Sequence, residues 1–190
     1  MKFFSLFSKK PQKVNSIGIV PDKETQKLLA IRDSETIGLF KKSLFESGRF
    51  KESIEVLIDK NLEAPFNVIC EGNLLTVEQK RDLKINGRKK YGDKYIETLT
   101  ELGLKDDASV DFYKNNYHQA FGIASRNFEI EKLKKSGITK CRIATCNDER
   151  DCEAIKKFGK QIFDINSVPY LPLPDCNAAY CRCMIVAVID

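Results

Sequence analysis

Apolar positions along this chain follow two periods. From Lys23 they recur at steps of three and four, through Leu28, Leu29, Ile31, Ile37, Leu39, Phe40, Leu44 and Phe45, until Gly48. That spacing lays one apolar stripe along a helix and predicts that this face is buried. Ile54, Val56, Leu57 and Leu62 predict a second helix, which Pro65 ends, and Phe66 to Cys70 reads as a short strand or buried turn. Thr76-Val77-Glu78-Gln79 has the form of a capping box, so a helix starts at Val77 and stops at Asn86-Gly87. Arg88 to Leu102 predicts another helix with Gly103 as its C-cap. The longest starts near Ser109: Val110, Tyr113, Tyr117, Ala120, Phe121, Ala124 and Phe128 share a stripe, Lys132, Lys134 and Lys135 suit a helix C-terminus, and Gly137 ends it.

Beyond Gly137 the pattern turns to β-branched runs, which predict strands over Ile138 to Thr145, Gln161 to Ile165 and Arg182 to Ile189. The fold class expected is therefore α+β, a mostly helical N-terminal two-thirds followed by a small antiparallel β cysteine-rich module. Residues 1–20, with Pro11 and no periodicity, read as a flexible tail; 21–104 form a helical region, and 105–190 carry the long helix and the cysteine module. Cys141 and Cys70 read as core residues.

Composition narrows the class. A chain of 190 residues, 42% hydrophobic and 31% charged, can bury a core and is neither collagen-like nor disordered. Its longest apolar run in the body, Met184 to Ile189, is far below the ~20 residues of a spanning helix, so no membrane association is expected. The apolar segment Phe3 to Phe7 is too short for a secretion signal, and no small-residue cleavage site follows it, which makes the expected location cytoplasmic. In a reducing compartment, seven cysteines point to metal or catalysis before disulfides.

Net charge is +5, with about +6 in the first 140 residues and −1 in the last fifty. Lys80, Arg81, Lys84, Arg88, Lys89, Lys90 and Lys94 stand against only Asp82 and Asp93, a basic stretch open to weak, non-specific contact with nucleic acid. The plainer reading of the same stretch is a solvated helix face beside a turn.

Five cysteines, Cys146, Cys152, Cys176, Cys181 and Cys183, fall within 38 residues at loop edges. Two short loops delivering sulfurs to one point suit a tetrahedral zinc ion. In Cys181-Arg182-Cys183 an extended backbone turns both sulfurs to the same side. Cys146 and Cys152 are separated by five residues, wider than a usual zinc ribbon, and Arg150 and Arg182 are placed to offset the charge of four thiolates. Buried reduced thiols or disulfides are the other readings of the same residues.

The segment Thr145-Cys146-Asn147-Asp148-Glu149-Arg150-Asp151-Cys152, followed by Gly159-Lys160-Gln161-Ile162-Phe163, Pro172-Leu173-Pro174 and Cys181-Arg182-Cys183, resembles the C-terminal module of phage Mu F-like minor head (head morphogenesis) proteins. The resemblance covers residues 109–188 and is specific over about 45 of them. It departs at Ile155, where the family often has a second Cys, and at Ala178 and Ala179, where a His is frequent; Cys146 and Cys176 are the candidates to replace those ligands. The resemblance implies a phage- or prophage-derived structural module with capsid or portal-type partners.

Catalytic readings fare less well. A zinc deaminase needs His-x-Glu, whereas the single histidine, His118, precedes Gln119 and Ala120. Neither G-x-x-x-x-G-K nor G-x-G-x-x-G occurs. Asp148, Glu149 and Asp151 read as turn-holding carboxylates. The expectation is a non-enzymatic interaction protein; the alternative is a small bacterial effector or its immunity partner, with an activity the sequence does not display.

Overall fold

The computed structural model describes residues 21–156, 158 and 161–189; the proposed tail over residues 1–20 lies outside them. Helix α1, Lys23–Glu46, starts where the Asp22 carboxylate accepts the Thr25 N–H at 2.7 Å, and Gly48, at φ +67°, lets the chain turn away after it. Helix α6, Val110–Lys135, runs antiparallel to it. Their register is fixed by Lys135 on Glu24 at 2.7 Å, by Asn127 donating to Glu35 at 2.6 Å, and by Ser43 donating to Asn116. Between the helices Phe40 meets Tyr113 and Tyr117 edge-on, with centroids 4.9 and 5.4 Å apart.

Four short helices close over this pair: α2 at Ile54–Lys60, α3 at Val77–Asp82, α4 at Asp93–Glu97 and α5 at Glu101–Lys105. Phe40, Leu44, Ile54, Ile58, Val68, Tyr91, Tyr95 and Tyr113 form the buried centre. The capping box is present: Gln79 N–H donates to Thr76 Oγ1 at 3.2 Å, and Thr76 N–H to Gln79 Oε1 at 2.8 Å. Helix α2 ends at Lys60, short of the expected Leu62 and Pro65, and Pro65–Cys70 form a 3₁₀ helix.

The single helix expected over Arg88 to Leu102 is broken into α4 and α5. Gly92 lies so close to the preceding loop that a Cβ there would sit 1.9 Å from the Glu71 carbonyl oxygen, and its N–H bonds Ile69 O at 2.9 Å. Thr100 then caps a new helix, accepting the Gly103 N–H at 3.2 Å. Gly103 stands inside α5, where a Cβ would approach Arg49 O to 2.2 Å, and not at a C-cap. Tertiary contact has overridden helix propensity.

Asp107, Ala108 and Ser109 follow in succession at φ 45°, 53° and 51°. Each left-handed non-glycine residue costs on the order of 1–2 kcal/mol. Local bonds offset that cost: Tyr95 Oη donates to Ala108 O at 2.8 Å, Ser109 Oγ to Gly103 O at 3.1 Å, and the Asp107 carboxylate accepts from Lys89 Nζ at 2.6 Å and Tyr91 Oη at 3.1 Å. Lys84, at φ 55°, is a different case, because it is exposed and follows the last turn of α3, where Ile85 N–H returns to Lys80 O at 3.0 Å. Glycine is the residue that position favours. Lys84→Gly is expected to raise stability by ~0.5–1 kcal/mol in chemical denaturation; a lowered midpoint would show that the lysine stem packs.

The expected basic face does not form as one surface. Lys80 is buried and donates to Gly87 O at 3.1 Å and Lys89 O at 2.9 Å, while Lys89 pairs with Asp107 at 2.6 Å and Asp111 at 3.4 Å. Arg81, Lys84, Arg88, Lys90 and Lys94 are exposed.

The three strands expected near the C-terminus are β1 at Lys140–Ala144, β2 at Ile162–Asp164 and β3 at Met184–Ala187, antiparallel in the order β2-β1-β3. Cys141 pairs with Phe163 and Ala187, and Ile143 with Ile185. Cys141, Ile143 and Ile185 point to a second buried cluster with Leu133, Ile155, Ile165, Leu171 and Leu173. Helix α6 serves both clusters, contributing Tyr113 and Ala120 to the first and Leu133 to the second. Helix α7, Glu153–Lys156, is a single turn beside the sheet. Among the described residues no helix is long and apolar enough to cross a membrane.

Candidate metal centre

Strand β1 leads into a loop that the carboxylate of Asp148 fastens. Arg182 grips it with two nitrogens, Nη2 at 2.5 Å from Oδ1 and Nη1 at 3.1 Å from Oδ2, and Arg150 adds a bond at 2.9 Å. Both guanidinium groups hold the Asp148 carboxyl well below the usual carboxylate range, Arg182 foremost. The nearly buried Asp151 carboxylate takes a third contact from Arg182 at 3.4 Å. Because Arg182 faces this loop, its neighbours Cys181 and Cys183 face the other way, into the second core.

Cys152, Cys181 and Cys183 belong to that core, and Cys176 packs against it. The thiol of Cys152 interacts with that of Cys176, Cys176 with Cys181, and Cys181 with Cys183. Cys152, Cys181 and Cys183 are buried and Cys176 is half-buried. Hydrogen bonding from Cys183, joined by the charge of Arg126, pulls the Cys181 thiol down to about 6; the same bond and burial push Cys183 up, and burial pushes Cys176 up.

Cys146 is exposed, whereas the other four candidate ligands lie in or against the second core. Cys141 is buried in the sheet as expected; Cys70 is not a core residue, since it ends the 3₁₀ turn exposed, 3.9 Å from Lys90 O. All seven cysteines are free.

Nor do Arg150 and Arg182 supply the offsetting charge, since both are engaged by Asp148. The cation buried beside the Cys181–Cys183 backbone is Arg126, from the middle of α6 and only 6% exposed. It donates to Leu171 O at 3.1 Å, Cys183 O at 3.2 Å and Cys181 O at 3.4 Å. Among the described residues no carboxylate pairs with it, and its Nε–H finds no acceptor. Sequence reasoning missed this residue. Its signal was the company it keeps: Ile123, Ile130 and Leu133 stand at helical intervals from it on the same face. Gln119, on that face too, accepts the Cys181 N–H at 2.7 Å. His118 is a packing residue, its ring 5.0 Å from Tyr180 and 5.3 Å from Phe66.

Chemically, the cluster is a soft all-sulfur donor set, which suits Zn²⁺ above hard cations. Among the described residues no group of three or more His, Cys, Asp or Glu side chains is already arranged to hold an ion. Four thiolates around a divalent ion would carry −2, and a buried guanidinium needs a negative partner. The fold and this site together define a small α+β chain with a sulfur-lined C-terminal core. Compared with known proteins, the chain matches no family model, no curated protein and no solved structure.

Proposed function

We propose that this protein is a non-enzymatic structural or interaction protein of phage or prophage origin, a minor head morphogenesis protein of the Mu F-like kind, whose C-terminal core is stapled by zinc on Cys152, Cys176, Cys181 and Cys183. The observation that carries the reading is that Cys152, Cys181 and Cys183 lie in one buried core with Cys176 packed against it, and that buried Arg126 binds the Cys181 and Cys183 carbonyls beside them. Asp148, in the turn that resembles the family motif, is the carboxylate that locks that turn to Arg182. A saturated four-thiolate site has no open position for water, so the centre stabilises and does not hydrolyse. Its setting is reducing and cytoplasmic, in keeping with seven free thiols. The role calls for capsid or portal-type partners. Affinity capture from the native host, with cross-linking, tests this: head or portal proteins are expected, and stoichiometric capture of a toxin would favour the effector alternative.

Contact with nucleic acid is an accessory property in this reading. Arg81, Lys84, Arg88, Lys90 and Lys94 remain exposed, whereas Lys80 and Lys89 are spent on internal bonds. Duplex DNA is expected to bind weakly and without sequence preference, and raising salt from 50 to 200 mM to cost on the order of a hundredfold or more in affinity. Selective binding that persists at high salt would contradict this.

A further inference from the structure

The second core contains a cation that its described carboxylates do not answer. Burying a guanidinium costs several kcal/mol unless opposite charge and hydrogen bonds compensate. Three carbonyl oxygens take Nη1 and Nη2, yet Nε has no acceptor and Arg126 remains 6% exposed. The groups whose charge reaches it are the sulfurs of Cys181, Cys183 and Cys176 and the Tyr170 hydroxyl.

The helix also makes room for it. Gly122, one turn earlier in the middle of α6, is a residue that costs a helix about 1 kcal/mol relative to alanine. A Cβ there would lie 3.1 Å from Arg126 Nη1 and 3.4 Å from Cys181 O. Gln119, Gly122 and Arg126 thus form one stripe shaped to the Cys181–Cys183 segment: an acceptor for its N–H, a gap, and a fork for its carbonyls. The fork is specific to arginine, since a lysine ammonium cannot span three carbonyls in one plane.

We propose that Arg126 is the built-in counter-charge of the cysteine centre, halving the −2 of a divalent ion held by four thiolates and thereby setting how tightly the metal is held. The inference rests on the zinc reading above. Binding a divalent ion to the four cysteines displaces their remaining thiol protons and leaves the sulfur set at −2, so a fixed positive charge beside it favours the loaded form over the empty one. The same charge lowers the energy of the sulfur lone pairs, so it is visible in the electronic spectrum of a cobalt-loaded site.

The test uses the full chain with Co²⁺ and Zn²⁺ as probes and compares wild type with Arg126→Gln and Arg126→Lys. Wild type is expected to take up one Co²⁺ with sulfur-to-metal charge-transfer absorption. Arg126→Gln is expected to weaken Zn²⁺ in chelator competition by on the order of a hundredfold and to shift the charge-transfer band to lower energy. Arg126→Lys, which keeps the charge and loses the fork, is expected to stay within about tenfold of wild type with an unshifted band. Should Arg126→Gln not fold, Arg126→Lys decides alone: retained affinity and band support the charge role, and a loss of a hundredfold or more overturns it. Equal affinity and an unshifted band in Arg126→Gln overturn the role of Arg126 while leaving the metal reading intact. A wild-type chain that takes up neither ion overturns both.

Discussion

Replacing Cys181 and Cys183 together with serine is expected to abolish zinc uptake and to open the C-terminal core. Structural zinc contributes about 10–16 kcal/mol of apparent binding free energy in small sulfur sites, on the scale of the ~5–15 kcal/mol that separates most folded chains from unfolded ones. These two residues also bring the strand that Arg126 and Gln119 hold against α6. The expected readout is loss of amide protection in β1 to β3 and new protease cleavage after residue 140. Cys146→Ser and Cys70→Ser, at exposed thiols outside the cluster, are expected to leave zinc content and melting temperature unchanged. A double variant that stays folded with zinc bound would exclude these sulfurs as ligands; one that stays folded but loses a measurable activity would move the effector reading forward.

The second large effect falls in the helical core. Gly92→Ala adds a Cβ that would sit 1.9 Å from Glu71 O and 2.7 Å from the Cys70 carbonyl carbon, and both are backbone atoms that no rotamer change can move. The loop between the 3₁₀ turn and α4 must part, breaking the 2.9 Å bond from Gly92 N–H to Ile69 O. The expected cost is at or above the top of the ~1–3 kcal/mol range for overpacking, a fall of roughly 6–12 °C in melting temperature for a chain of this size. Gly87→Ala is the matched control: a Cβ there meets nothing within 4 Å, and no comparable loss is expected. Similar stability for the two variants would show that the loop gives way freely.

Features written by neighbours in sequence were legible. The apolar stripes of α1 and α6, the Thr76 capping box and the three β-branched runs each announce themselves within a dozen residues, and each is found close to its expected place. What was illegible depends on residues far apart. The break before α4 comes from Gly92 meeting Glu71, and a helix-compatible sequence on both sides conceals it. The left-handed run Asp107–Ser109 contains no glycine or asparagine to signal a turn, because Tyr95, Gly103 and Lys89 impose it from outside. Lys80 is taken by the carbonyls of Gly87 and Lys89 in the turn that follows α3, and Lys89 by the carboxylates of Asp107 and Asp111, partners that no local charge pattern marks.

At the candidate centre the residue types were legible and the selection was not. Spacing alone kept Cys146 beside Cys152, whereas the grip of Arg182 on Asp148 decides which side of the loop each sulfur takes. The expected charge partners, Arg150 and Arg182, were those nearest in sequence. Arg126 comes from a helix 45 to 57 residues upstream of the carbonyls it meets, and an arginine on a helix is solvated far more often than buried.

The central claim, that Cys152, Cys176, Cys181 and Cys183 act as one zinc staple, is tested most directly by elemental analysis and thiol counting on protein purified without chelator. The account predicts one zinc per chain, rapid labelling of the exposed Cys70 and Cys146, and four thiols that become reactive only when a chelator removes the metal. A stably folded, metal-free protein in which those four thiols label without a chelator would contradict it.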